Sequence, residues 1–511
     1  MNCQILQWSH GRMHPLNAND WKDDKTMNAN PVRKSPRRGW TLFILCFGVF
    51  MIYLDGTIVN VALPDIQSGM NVGLKQLQWV VDAYAITFAC LLLAAGSIGD
   101  AIGHKIVFMT GMLGFTISSV LCAISDSMDV LLIGRALQGI FGSLLIPVSL
   151  AVIRSLYEDP AARAKAIAVW TALGGVALAA GPVVGGWLVD TQGWQSIFWI
   201  NVPVGVLVSI ALVFTMKGSR PKKTTSIDFF GQLLFIVGIA SLAFGLIEGN
   251  SYGWGDSWIV ASFAVSAASL FIFVIWEWRH PHPLLPLAFF RDRIFVVVCL
   301  INFTGFFGLF SVIFLLTLYL QNINGLSAVD TGIRFLSLTA SIMIASFLGS
   351  TLATRLAPKI MIPLGSVIAG AALIALTGIE ADRGYATYWW ALSLLGIGVS
   401  FAGTSATVSL MTSMSPERAG MASGVANTFR QISAVVGVAL SGSLITNQIR
   451  PTSSASGNEH NRFGDAMSFI EGMHSALLVA AICCIAGALI AFAILNGLPS
   501  RQAAAVAADK P

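Results

Sequence analysis

Charge is scarce in this 511-residue chain: Asp, Glu, Lys and Arg make up 11% of it, against 55% hydrophobic residues. A soluble domain carries about 25% charged residues. A large soluble core is therefore excluded, and the composition is that of a polytopic membrane protein. Cysteine is equally uninformative as a framework. Cys46, Cys90, Cys122, Cys299, Cys483 and Cys484 lie inside apolar runs, and Cys3 stands alone near the N-terminus. No disulfide pattern and no metal-type spacing follows, so neither metal nor cofactor is expected. Walker loops, HExxH and the nucleophile elbow are all missing, which speaks against ATP-driven transport and against an enzyme. His104, His280 and His282 sit in or beside loops with no ligand partners. The net charge of +5 is spread between apolar runs, so nucleic acid is not an expected partner. Residues 1–38 are polar and lack the apolar core of a cleavable signal. Met27 is a candidate start, because it leaves the basic cluster that follows intact.

What the chain does have is long apolar runs. About fourteen are long enough for a bilayer, which takes ~20 residues: 40–64, 77–99, 105–125, 130–153, 164–189, 195–216, 229–248, 257–276, 294–320, 331–354, 360–379, 386–411, 421–446 and 473–497. Arg33, Lys34, Arg37 and Arg38 precede the first and should hold the N-terminus in the cytoplasm. With that orientation most Lys and Arg fall on the cytoplasmic side. Lys217, Arg220, Lys222 and Lys223 mark one inside loop, Arg279, Arg291 and Arg293 another, and Arg355 and Lys359 a third. Outside loops carry Asp126, Asp129, Asp190, Asp256 and Asp330 instead. Both termini should be cytoplasmic, in a multi-pass protein of the cytoplasmic (inner) membrane, embedded in lipid.

A faint repeat relates Val148-Ser149-Leu150 and its following loop to Val408-Ser409-Leu410 and its loop, eight spans later. That offset fits two six-span bundles around two extra spans. Parallel repeats of this kind mark transporters with a site at midplane between bundles. The expected organisation is an N-terminal tail (1–39), a six-span bundle (40–216), two extra spans with linkers (217–292), a second six-span bundle (293–498) and a tail (499–511).

Within this apolar background the charged residues stand out. Arg135 lies in LLIGRALQGIFG, where a mid-span Arg costs roughly 2.5–3.5 kcal/mol and cannot deprotonate. It needs a carboxylate, a carbonyl or a watery cavity. Gln138 is three residues on, and Gly134, Gly139 and Gly142 keep the helix thin. Asp55, in span 1, lies roughly 14 Å from the outer end at 1.5 Å per residue. Asp82, in span 2, is closer to that end. Three charges thus share the outer half of one bundle, and a net-negative cluster is expected. Desolvation raises a carboxylate pKa and a nearby guanidinium lowers it. A group between those effects suits proton coupling or cation binding. Helix packing is the plain alternative for Asp55, and water contact for Asp82.

Three further patches attract attention. Gly181, Pro182, Gly185 and Gly186 in span 5 allow close helix approach and a kink, and packing alone would explain them. Gly96, Asp100, Gly103 and Lys105 form a very tight inside loop in which the charges either latch a helix end or are merely solvated. Arg430 in span 13, with Asn427 and Gln431, is a second buried Arg near midplane and is equally suited to a substrate contact, a gate or a structural role. Trp40, Trp79, Trp194, Trp258, Trp276, Trp278, Trp389 and Trp390 cluster at span ends, as interfacial belts do.

Several of these blocks match a known family. LDGTIVNVALPDI with Asp55, GSIGDAIGHK, RALQG with Arg135, GPVVGG, QWVVDAY and IFWINVPVG with Asn201 and Pro203 together resemble the fourteen-span drug:proton antiporters of the major facilitator superfamily, over nearly all of 40–498. The resemblance implies an all-α fold of fourteen transmembrane helices. It implies that Asp55 is an embedded coupling acid, that Arg135 belongs to the proton-transfer region, and that Gly181–Gly186 supports antiport and hence export. Ala101 and His104 depart from the loop motif, where basic residues are usual, and Ala177 stands where the antiporter motif usually begins with Gly.

The expected function is secondary active export, by alternating access, of an amphipathic or cationic drug-like compound or a secondary metabolite, in exchange for protons. Two alternatives stay open. One is proton-coupled metabolite import. The other is a ligand sensor without turnover, although the C-terminal tail is short for a receptor. The partners expected are the small molecule, protons and lipid, with a periplasmic adaptor left open.

Overall fold

Inside lipid no water satisfies backbone N–H and C=O groups, so an apolar run of this length must close its own hydrogen bonds as a helix. All fourteen runs do so. In the computed structural model, residues 6–9, 12–15, 36–216, 228–281, 283–353, 355–380, 384–414, 416–448 and 466–496 are described. Met27, Arg33, Lys34, the Lys217–Lys223 cluster and His282 fall outside that set.

Spans 1 to 6 are Arg38–Met70, Leu74–Ile102, His104–Ala123, Met128–Leu156, Lys165–Gln192 and Ser196–Thr215. Spans 7 and 8 are Phe229–Tyr252 and Ser257–Arg279. Spans 9 to 14 are Arg293–Ile323, Ala328–Leu352, Pro358–Leu376, Trp389–Ser413, Met421–Gln448 and Ala466–Asn496. Span 1 continues past the expected end at 64, because Pro64 is accommodated inside the helix. Several starts are written in aspartate. Asp159, Asp228, Asp256 and Asp292 each accept a hydrogen bond from a free backbone N–H in the first turn of the helices that carry spans 5, 7, 8 and 9, the first of them beginning at Pro160, as N-caps do. Gly103, at φ 110°, makes the abrupt turn between spans 2 and 3 that a side chain would strain.

Residues 1–40 form a separate unit. In it Leu6–Ser9 and Arg12–Pro15 pair as antiparallel strands β1 and β2, with Leu6 opposite Pro15 and Ser9 opposite Arg12.

The helices pack as two repeats. Span 4 lies against spans 2 and 3, and span 6 against span 3. Eight spans later, span 12 lies against spans 10 and 11, and span 14 against span 11. Spans 7 and 8 form a hairpin whose first helix sits against spans 2 and 13. Glu248 ties it there, accepting from Lys75 Nζ at 3.0 Å and from Trp79 Nε1 at 3.1 Å. Gln232 Nε2 donates to the Cys90 carbonyl at 2.7 Å.

The halves are joined unevenly across the membrane. The basic side is that where span 1 begins. On the far side, Gln78 Nε2 of span 2 donates to the Ala439 and Val438 carbonyls of span 13, at 2.9 and 3.3 Å. Gln321 Nε2 donates to the Val61 carbonyl at 2.9 Å. Asp190 of span 5 accepts from the backbone N–H groups of Ala328 and Val329, both at 3.0 Å. Glycines allow this closeness. A Cβ on Gly186 would strike the Ala328 backbone, one on Gly332 the Pro182 backbone, and one on Gly442 the Gln78 side chain. Nearer the basic side, a Cβ on Gly175 or Gly424 would meet nothing within 4 Å. The hydrogen bonds that Gln78, Gln321, Asn322, Asp190 and Arg430 make between spans 1–6 and spans 9–14 lie at midplane or on the far side. The far side is thus closed, and the halves stand parted at Gly175 and Gly424, toward the basic side.

Candidate functional site

Spans 1, 3, 4 and 6 converge on one buried carboxylate. Arg135 Nη1 lies 2.8 Å from Asp55 Oδ2. Asp55 Oδ1 accepts from Asn201 Nδ2 at 2.9 Å and from Gln138 Nε2 at 3.3 Å. Arg135 also donates to Gln138 Oε1 at 2.8 Å and, through Nε, to the Val80 carbonyl at 3.1 Å. Ser119 Oγ accepts from Gln138 Nε2 at 2.8 Å and from Asn201 Nδ2 at 3.4 Å. The Tyr84 ring lies under the guanidinium, 4.4 Å from its carbon. Asp55, Arg135, Gln138 and Asn201 are all at most 1% exposed.

Helix geometry explains the convergence. Gln138 is one turn from Arg135, so both side chains leave the same face of span 4. Gly139 permits close contact with span 2, since a Cβ there would collide with Thr87 and the Tyr84 carbonyl. Thr87 Oγ1 uses that approach to donate to the Ala136 carbonyl at 3.0 Å. Both Asp55 oxygens and the Arg135 Nε and Nη1 have hydrogen-bond partners, the kind of support that lets a buried ion pair offset its desolvation.

Asp82 does not join this cluster. It is fully buried, and neither carboxylate oxygen has a hydrogen-bond partner among the described residues. The expected three-charge cluster is a two-charge cluster completed by neutral amides. The reason is helical phase. Arg135 addresses span 2 at the Val80 carbonyl. Asp82, two residues on, points elsewhere, four residues after the Gln78 that bonds span 13.

The glycines of span 5 hold it against span 1 and span 10. A Cβ on Gly181 would collide with Thr57, one on Gly185 would come 2.5 Å from the Ile58 side chain, and Gly186 and Pro182 abut span 10. Pro182 lies inside an unbroken helix. Ala177 is fully buried, so its methyl group opens no gap. The expected inside loop is shorter than its motif: Gly96 and Asp100 lie in the last turns of span 2 and Lys105 in the first turn of span 3, with Gly103 alone between the helices. A Cβ on Gly96 would meet nothing within 4 Å. Asp100 faces His104 at 3.5 Å, and Lys105 Nζ donates to the Val213 carbonyl at the end of span 6, 3.1 Å away. His104, a departure from the loop motif, thus supplies a local partner for Asp100.

Arg430 lies where the halves meet. Its Nη2 is 3.4 Å from Tyr53 Oη, and its guanidinium carbon is 4.8 Å from the centre of the Phe306 ring. Asn427 and Gln431 are half-buried beside it on span 13. Of the tryptophans expected at interfaces, Trp40, Trp258, Trp278, Trp389 and Trp390 are exposed. Trp194 is buried at 4% exposure, because its ring packs edge-on against Phe198. Asn201, Ser119 and Asp190 are functional candidates that the charge pattern did not reveal. A buried amide in the IFWINVPVG run was the available signal for Asn201.

The family model described as Major Facilitator Superfamily matches residues 45–438. Multidrug resistance protein Stp of Mycobacterium tuberculosis (strain CDC 1551 / Oshkosh) is 35% identical over 405 residues, covering 79% of this chain and 75% of that one. The tetracenomycin C resistance and export protein of Streptomyces glaucescens is 32% identical over 422 residues, covering 81% and 77%. In fold, the chain is similar to a bacterial homologue of the human lysosomal transporter Spinster, solved inward-facing and unoccupied. The TM-score is 0.62 at 17% identity, over 90% of this chain and 98% of that one. Fourteen membrane-length helices, two packing repeats and these matches agree: the chain belongs to the Major Facilitator Superfamily and is a membrane transporter, not an enzyme.

Proposed function

We propose that this transporter exports amphipathic, drug-like compounds or a secondary metabolite from the cytoplasm in exchange for protons. The observation that carries the reading is the sealed Asp55–Arg135 pair, a titratable carboxylate within the membrane, held by a guanidinium and two amides. Resistance and efflux proteins among the relatives support export. With the basic side in the cytoplasm, as the positive-inside rule requires, the parted side receives cargo from within. The far side, closed by Gln78, Gln321 and Asp190, opens to release it.

In this cycle Asp55 is the coupling group. Arg135 supplies its counter-charge at 2.8 Å. Proton exchange at this carboxylate is coupled to the cycle through the guanidinium and the two amides that hold it, while each half moves as a body. Asp82, buried without a partner, is the candidate for a second proton site. Moving one charge across 100 mV is worth about 2.3 kcal/mol, so an electrogenic exchange draws on the membrane potential.

The test is drug-induced proton movement in energised everted vesicles loaded with a pH-sensitive dye. A panel of lipophilic cations, neutral antibiotics and organic acids should dequench the dye with the wild type and not with Asp55→Asn, at equal membrane insertion. Equal proton movement in both would remove Asp55 from the mechanism.

A further inference from the structure

Among the described residues Arg135, Arg334 and Arg430 lie more than one turn inside spans, and Arg430 is the one that sits between the two halves. Arg135 has a carboxylate, an amide oxygen and a backbone carbonyl. Arg430, nine residues into span 13, has one long hydrogen bond, 3.4 Å to Tyr53 Oη. Its Nε is buried with no partner, and no carboxylate lies within 4 Å of it among the described residues. A guanidinium offers five N–H donors and never gives up its charge. Left unpaired in a low-dielectric setting, such a group is costly, and the fold keeps it where the two halves part.

The surroundings say what would satisfy it. The other deep acids are unavailable: Asp55 is engaged by Arg135, and Asp82 is fully buried on span 2. On the elements packed against Arg430 the facing groups are aromatic, Phe306 of span 9 at 4.8 Å and Tyr53 of span 1 at 5.7 Å from ring centre to guanidinium carbon. Phe50 lies one turn from Tyr53 on the same face. Asn427 and Gln431 add amides with no hydrogen-bond partner among the described residues, and both are half-buried. A planar cationic fork between aromatic rings fits an aromatic body bearing an anionic group, since a guanidinium holds a carboxylate through two parallel bonds. A cation in the same place would meet like charge and leave the fork unpaired.

We propose that the cleft selects amphipathic aromatic molecules carrying an ionised acidic group, a carboxylate or a phenolate, and that Arg430 binds that group. This rests on the reading of the chain as an exporter loaded through this cleft, and it narrows the cargo away from the lipophilic cations that composition alone leaves open.

The experiment is equilibrium binding to the purified full-length chain in lipid nanodiscs, without any proton gradient. The probes share one ring system: pyrenebutyrate, its methyl ester, and the matching trimethylammonium compound. The carboxylate should bind at least about tenfold tighter than the other two, a difference of about 1.4 kcal/mol. Arg430→Gln should level the three. Arg430→Lys should retain part of the preference, keeping the charge and losing the fork. A wild type that binds the cation as tightly as the carboxylate overturns the proposal without reference to any variant. So does failure to bind any of the three, or an unchanged ratio in Arg430→Gln. The two readings separate cleanly. Anion-selective binding with no proton movement in vesicles would sink antiport and leave this inference standing, and proton-coupled export of cations would do the reverse.

Discussion

At the scale of single residues, the Asp55–Arg135 pair is a charge arrangement in which each partner depends on the other. Breaking a buried pair by deleting one partner costs about 3–5 kcal/mol, because the survivor is left uncompensated. Arg135→Ala should therefore lower the thermal midpoint of the purified protein steeply. Arg135→Ala combined with Asp55→Asn should recover most of that loss, since Asn201 and Gln138 still satisfy a neutral amide at position 55. The order of midpoints should be wild type, then the double variant, then Arg135→Ala. A double variant no more stable than Arg135→Ala would mean the pair's charges are not what holds these spans together. The same physics decided what could be read in advance. Asp55, Arg135 and Gln138 were legible because a charge in an apolar run must be compensated. Asn201 and Ser119 carry no such penalty. Asn201 reaches Asp55 across 146 residues of sequence, a pairing that only tertiary packing creates. That Asp82 stands outside the cluster was illegible for a related reason: sequence gives the height of a residue along its helix and not the rotation of that helix against its neighbours.

At the scale of elements, span 10 begins against the end of span 5, and Asp190 binds its first two free N–H groups. A carboxylate there meets both the unsatisfied donors and the positive end of the helix dipole. Because Asp190 belongs to one half and the N–H groups to the other, this cap is also a latch. Losing a cap of this kind costs about 0.5–2 kcal/mol. Asp190→Ala should thus shift the population towards the state open on the far side. A cysteine introduced by Val329→Cys should react several-fold faster with a membrane-impermeant maleimide in the Asp190→Ala background. An unchanged rate would show that the latch adds nothing to closure. Asp190 was read from sequence only as an outside-loop charge, which set topology correctly and missed the latch. The helices themselves were almost wholly legible, since length and hydropathy decide spanning. Their ends were less so: Pro64 marked a boundary that neighbouring helices let span 1 ignore.

At the scale of the whole molecule, closure on one side and parting on the other require that the contacts sealing the far side be breakable together. Their chemistry suits that. They are neutral amide-to-carbonyl bonds from Gln78 and Gln321, an exposed aspartate cap, and glycine-to-backbone contacts that bury little side chain. None is a buried interhelical ion pair of the Asp55–Arg135 kind, whose rupture would be several-fold more costly. The strongest electrostatics thus lie inside one half and the weakest between halves, so each half moves as a body while the seam between them opens. A covalent bond across the seam should stop the cycle. Gly442 lies against the Gln78 side chain so closely that a Cβ there would collide with it. In a background with the native cysteines replaced, Gln78→Cys with Gly442→Cys should form a disulfide on mild oxidation and abolish substrate-induced proton movement. Reduction with dithiothreitol should restore it, while the Gln78→Cys single variant stays active throughout. Transport that persists with the bond demonstrably formed would mean that the far side need not open between spans 2 and 13, and would move the exit path to the seam of spans 5 and 10.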